Sequence, residues 1–175
     1  MKIRQQRWFN ALRQLLVFLL VFVLISALVD QWRSRTIPHQ VVSAEPMTLL
    51  DGTHVDLLAL SYEQPVLVYF WATWCGVCRF VSPSVSRLAG GDHTVVSIAI
   101  ASGESERVHA YQQAKNYRFN TINDPRNTLA QAWGIRATPT LLILKHGEVV
   151  SSTTGITTPV GMWLRLQWHA LSFND

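Results

Sequence analysis

The chain holds only two cysteines in 175 residues, and that scarcity excludes two architectures. A scaffold knitted by several disulfides is ruled out, and so is a structural zinc site built from two cysteine pairs. Histidine does not fill the gap, since His54, His93, His109, His146 and His169 fall at no ligand-like spacing. Acidic residues are missing from the start of the chain: none precedes Asp30, whereas Lys2, Arg4, Arg7 and Arg13 all do. Charge of either sign is absent from Gln14 to Val29, QLLVFLLVFVLISALV. Internal repeats and low-complexity tracts are also lacking.

The formal net charge of +4 belongs to one end. Six of the fifteen basic residues lie before residue 36, leaving nine against ten acids in the other 140 residues. A nearly neutral body lacks the concentrated basic surface that phosphate backbones demand, so nucleic acid is not an expected partner. Crossing a bilayer takes about 20 apolar residues, and Ala11 to Val29 approaches that length if Arg13 snorkels to the interface. Trp8, Phe9 and Trp32 flank the run as interfacial rings do. The basic residues ahead of it predict a cytoplasmic N-terminus. A cleaved signal peptide is the competing reading, but cleavage wants small residues and Ala27-Leu28-Val29 matches poorly. The expected organisation is a cytoplasmic basic segment over 1–13, a single transmembrane anchor over 14–30 that meets membrane lipid, a linker over 31–46 with Pro38 and Pro46, and an extracytoplasmic domain over 47–175.

Within that domain, MTLLDGTHVDLLAL predicts two short strands about an Asp51-Gly52 turn, with alternation running through Leu57. Pro65 to Trp71 and Thr94 to Ala101 read as buried strands. Thr73 to Leu88 reads as a loop entering a helix bent at Pro83. Ser102 to Tyr117 predicts a helix capped by Ser102 or Ser105, with Val108, Tyr111 and Ala114 at helical spacing. Phe119 to Ile122 predicts a short strand. Thr128 to Trp133 predicts a helix closed by Gly134. Thr140 to Lys145 and Glu148 to Thr154 predict a hairpin about His146-Gly147. A terminal helix from Gly161 to Leu171 presents Trp163, Leu164, Gln167, Trp168 and Leu171 as its apolar side, with Trp163, Trp168 and Trp133 expected to pack the core. The order predicts an α/β fold, a mixed central sheet flanked by helices on both faces.

Both cysteines fall in WATWCGVCRF, residues 71–80. A structural brace, a metal corner and a disulfide-exchange reagent all use such a pair. The ring closed by two cysteines three apart removes little unfolded-chain entropy, which argues against a brace. At a helix start, Cys75 lies before the first turn, exposed, with Cys78 partly covered inside it. The positive helix end then favours a Cys75 thiolate, which is a nucleophile.

WATWCGVC, with the later WGIRATPT, resembles the active-site pattern of thioredoxin-like proteins, in particular the membrane-anchored extracytoplasmic branch of the TlpA and ResA type. The single-pass layout is similar to that of the suppressor-of-copper-sensitivity group within it. The likeness runs from about Met47 to Leu171 and implies a thioredoxin-like fold. It implies that Cys75 attacks and Cys78 resolves, and that Gly76 and Val77 help set the redox potential. It further implies that Trp74, Thr138 and a cis Pro139 receive an extended substrate. No cofactor and no metal are implied.

Two acids of the family pattern are missing, because Tyr69 and Val81 stand at their positions. Glu63, Glu104 and Tyr69 are the candidates to move the proton of the buried cysteine. The absence of histidine between the cysteines favours reduction or isomerisation over oxidation. The resemblance implies exported cysteine-containing proteins as substrates, a DsbD/ScsB-type transmembrane electron donor, a place in the bacterial inner membrane facing the periplasm, and a role in copper tolerance. An apocytochrome c thioreductase is the alternative, disfavoured by ATPT at residues 137–140 where that branch resembles GAPE. A thiolate module for Cu(I) is a third reading.

Overall fold

The computed structural model describes residues 45–171, together with Arg13, Gln14, Val17, Phe18 and Val21, which are helical and exposed. The chain divides into two compact units, 1–36 and 37–175. Apart from those five residues, the expected basic segment, anchor and nearly all of the linker lie outside the described residues. Among the described residues, no helix is long and apolar enough to cross a membrane.

The second unit begins with the expected hairpin, β1 (Met47–Thr48) against β2 (His54–Val55), antiparallel. Gly52 takes φ 85°, open to a residue without a Cβ. The Asp51 carboxylate accepts the Thr53 amide and hydroxyl at 3.0 and 2.6 Å, which holds it below the usual carboxylate range. The extended run stops at Val55, short of Leu57. Asp56 accepts the Ala59 N–H at 2.9 Å and so caps a helix, α1 (Leu57–Glu63), absent from the sequence expectation.

Five strands form the main sheet: β3 (Val66–Trp71), β4 (Thr94–Ile100), β5 (Asn120–Asp124), β6 (Thr140–Lys145) and β7 (Glu148–Thr154). Their order is β5-β4-β3-β6-β7, with β3, β4 and β5 parallel and β6 and β7 antiparallel. Every residue of central β3 is buried, as its unbroken apolar run requires. Its alternation divides two cores. Val66, Val68 and Phe70 meet α1, α4 (Thr128–Ala132) and Trp133, whose ring lies 5.7 Å from Phe70. Leu67, Tyr69 and Trp71 face the core that holds both cysteines. That core also takes residues of α2 (Cys78–Ala89), α3 (Ser105–Lys115) and α5 (Pro159–Leu171). The predicted mixed sheet with helices on both faces is therefore present. The helix α2 is continuous through Pro83.

Two expectations are corrected. No side chain caps α3, which Glu104 precedes. Ser102 instead donates to Ile100 O at 2.9 Å and accepts the Thr73 N–H at 3.0 Å, tying the β3 exit loop to the end of β4. In α5 the buried residues are Met162 and Leu166, while Trp163, Leu164, Trp168 and Leu171 are exposed. A helix apolar almost all round offers no periodic signal for which side packs.

Candidate active site

The sequence around the cysteines turns a strand into a helix within a few residues. Strand β3 ends at Trp71, and Cys75 N–H donates to Ala72 O at 3.2 Å, closing a tight turn. Two further turns, Arg79 N–H to Gly76 O and Phe80 N–H to Val77 O, lead into α2, which starts at Cys78. Cys75 and Cys78 form a disulfide across this entry. The Cys78 N–H points at Cys75 Sγ at 3.1 Å. An amide aimed at a sulfur from the start of a helix stabilises negative charge there when the pair is reduced.

The expected exposure of Cys75 is corrected: it is only 6 % exposed, against 2 % for Cys78. Access comes from its neighbours, because Trp74, Gly76 and Val77 are open to solvent. A Cβ added at Gly76 would meet nothing within 4 Å. Trp74 is fixed by its indole N–H, which donates to Ala101 O at 3.0 Å.

The second wall comes from the start of β6. The Thr138–Pro139 bond is cis, and Thr138 O lies 3.6 Å from Cys75 Sγ. Pro139 O accepts Gly155 N–H at 2.8 Å, and the Thr140 hydroxyl donates to Ala137 O at 2.8 Å. These bonds hold the segment 137–140 against the disulfide. Trp74, Cys75, Gly76, Val77, Cys78, Thr138 and Pro139 are thus placed along one entry loop and the strand start facing it.

Of the three proton-transfer candidates, the structure brings only one to the cysteine core. Glu63 ends α1, on the opposite side of the sheet, and Glu104 is an exposed residue ahead of α3. Tyr69 is fully buried in the same core as both cysteines, and its hydroxyl lies 2.9 Å from that of Ser82. Burial raises the Tyr69 hydroxyl well above the usual phenol range, opposed by the Ser82 bond. Ser82 sits one helical turn after Cys78, a spacing that marks it once Tyr69 is known to lack an acid partner. Tyr117, half-buried, is raised for the same reason and also meets Ser82. Among the described residues the one buried carboxylate is Asp124, and it serves elsewhere. It accepts Thr128 N–H at 2.8 Å and Ala130 N–H at 2.9 Å at the start of α4.

A second buried polar chain braces the floor. Trp71 Nε1 donates to Ser97 Oγ at 3.1 Å, Ser97 meets Thr121 Oγ1 at 2.6 Å, and Gln112 Nε2 donates to Thr121 Oγ1 at 2.8 Å. Sequence reading missed these residues because serine, threonine and glutamine inside apolar runs carry no pattern of their own. No three His, Cys, Asp or Glu side chains gather as a metal site among the described residues.

Comparison with known proteins places this geometry. Residues 40–153 match the model of the AhpC/TSA family. A thioredoxin-like protein of Haemophilus influenzae is 38% identical over 149 residues, which cover 84% of this chain and 87% of that one. Among solved structures, a secreted Mycobacterium tuberculosis disulfide oxidoreductase homologous to E. coli DsbE superposes with TM-score 0.63 at 20% identity, covering 71% of this chain and 96% of its own. An exposed lipoprotein thioredoxin of Streptococcus pneumoniae superposes with TM-score 0.62 at 20% identity, covering 72% and 99%.

Proposed function

This chain belongs to the AhpC/TSA family of thioredoxin-like proteins, and from that premise we propose that it is an extracytoplasmic thiol-disulfide oxidoreductase working through Cys75 and Cys78. The observation that carries the reading is the position of Cys75 Sγ, 3.1 Å from the Cys78 amide and 3.6 Å from Thr138 O. The sulfur has an amide to stabilise its thiolate on one side and the Thr138 carbonyl, two residues ahead of β6, on the other.

In the reducing direction, the Cys75 thiolate attacks one sulfur of a substrate disulfide and expels the other as a thiolate, forming a mixed disulfide. The Cys78 thiol loses its proton and attacks Cys75 Sγ. The second substrate sulfur leaves, and the enzyme disulfide forms; two electrons have passed to the substrate. The Thr138 backbone pairs with substrate backbone beside the sulfurs, and Trp74 forms the adjoining wall. Gly76 and Val77 carry no charge that would further stabilise the reduced pair, which supports reduction or isomerisation over strong oxidation.

The finer reading is an anchored protein of the TlpA and ResA type with the single-pass layout of the ScsD group. Residues 1–13 lie in the cytoplasm, 14–30 cross the inner membrane, 31–46 form a tether and 47–175 work in the periplasm. The uncharged run, the basic flank, and two structural neighbours of which one is secreted and the other an exposed lipoprotein support that placement. A transmembrane electron donor of the DsbD/ScsB type would regenerate the dithiol. Exported cysteine proteins under copper stress are the substrates that the ScsD likeness suggests.

Replacing Cys78 with serine removes the resolving thiol and leaves Cys75 able to form mixed disulfides. Expressed in full length, Cys78→Ser is expected to hold exported proteins in adducts that dithiothreitol releases, and Cys75→Ser to hold none. Equal adducts from both variants, or none from either, would remove the proposal. Adducts with apocytochrome c alone would replace the broad substrate range with the maturation role.

A further inference from the structure

The outer side of α5 is apolar where a free surface gains nothing from being so. Val160, Trp163, Leu164, Trp168 and Leu171 fall within one arc of this helix and all are exposed, Leu164 at 54 % and Trp168 at 72 %. Burial of α5 on the sheet is already satisfied by Met162 and Leu166 on another side. A helix that is apolar on two sides matches an apolar neighbour on each. Ile156, just ahead of α5 in the chain, is a further exposed apolar residue. It follows Gly155, whose N–H bonds Pro139 O.

Charge and ring chemistry select the second neighbour. Between Glu148 and Asp175 the sequence has no acid, while α5 carries Arg165 and His169. Such a surface is not repelled by an anionic lipid headgroup layer. Two tryptophans in the strip favour the headgroup boundary, where an indole is half in water and half in hydrocarbon. The uncharged run Gln14–Val29 precedes the domain by a linker of 31–46, whose full extension is roughly 55 Å. Lipid is then always within reach of the strip, so a weak surface contact suffices.

We propose that the exposed face of α5 lies on the surface of the membrane that anchors the chain, with Trp163, Leu164, Trp168 and Leu171 in the headgroup boundary. The proposal rests on the anchored reading.

The test uses the full chain reconstituted in vesicles of phosphatidylcholine and phosphatidylglycerol that carry shallow doxyl-labelled lipid. Differences between the parent and Trp163→Phe or Trp168→Phe isolate the emission of those two rings. That emission is expected to be shifted to the blue and largely quenched by the label. In Leu164→Asp the quenching should be lost while reduction of a soluble disulfide by the reduced protein is unchanged. Chain retained through an alkaline wash with unquenched Trp163 and Trp168 would overturn the docking alone. Docking is equally overturned if those rings are shielded from lipid and the chain cross-links as a dimer through α5. Chain released by the wash would overturn the anchored reading and the docking with it.

Discussion

The residue pair that most distinguishes this site is Tyr69 and Ser82. A phenol stands on β3 where a family acid is expected, and it is satisfied by a hydroxyl on the cysteine helix at 2.9 Å. An unpaired carboxylate here would be costly in so dry a core, whereas a neutral hydroxyl pair is not. Removing Ser82 strands the buried phenol, whereas removing the phenol leaves Ser82 with Tyr117 as its remaining partner. Tyr69→Phe is therefore expected to lower unfolding stability by about 1–3 kcal/mol, read from urea denaturation of the oxidised protein. Ser82→Ala should cost a similar amount, and the double variant less than the sum, because the single changes both break the one Tyr69–Ser82 bond. Additive losses would show that the pair is not coupled. The cysteines themselves were legible in the sequence, since their spacing and aromatic surroundings carry chemistry. The near-burial of Cys75 was not, because exposure depends on how the loop 72–77 turns over it. Ser102 reads as a helix cap in the sequence, yet it bonds Thr73; a serine near a helix start serves whichever amide tertiary packing brings near.

Among the elements, strands were legible where both faces are buried. The runs 66–71, 94–100 and 140–145 are dominated by apolar residues, with Ser97 the one interior polar break, and burial on two sides demands that composition. The β6–β7 turn was also legible, because His146 and Gly147 take φ 50° and 79°, which a short hairpin with glycine accommodates. The helix α1 was missed: alternation through Val55 gives way at Asp56, and a single capping aspartate decides the change. The terminal helix shows the limit of periodicity from the other side. Its most conspicuous apolar side faces out, and two residues, Met162 and Leu166, anchor it. Leu166→Ala is expected to cost about 2–5 kcal/mol by opening a cavity in the cysteine core. Leu164→Ala, two residues away on the opposite, exposed side of the helix, should stay within about 0.5 kcal/mol. Thermal or urea unfolding of the two variants checks the register of α5 directly; equal losses would mean that the helix is rotated about its axis.

At the scale of the whole molecule, the sheet separates two jobs. One core, around Val66, Val68 and Phe70, supports the hairpin, α1 and α4. The other carries the disulfide, its hydroxyl pair and the helices α2, α3 and α5. Redox chemistry, substrate edge and the outward strip of α5 thus share one half of the domain. A couple that exchanges electrons must be neither too stable as a disulfide nor too stable as a dithiol, and that balance is measurable. The measurement is the equilibrium reduction potential of Cys75–Cys78 in the full chain, titrated against defined thiol buffers. A value near about −270 mV is expected for a reductant of this site chemistry. A value below about −300 mV would mark a structural bridge and contradict exchange altogether, and one near about −120 mV would contradict the reducing direction.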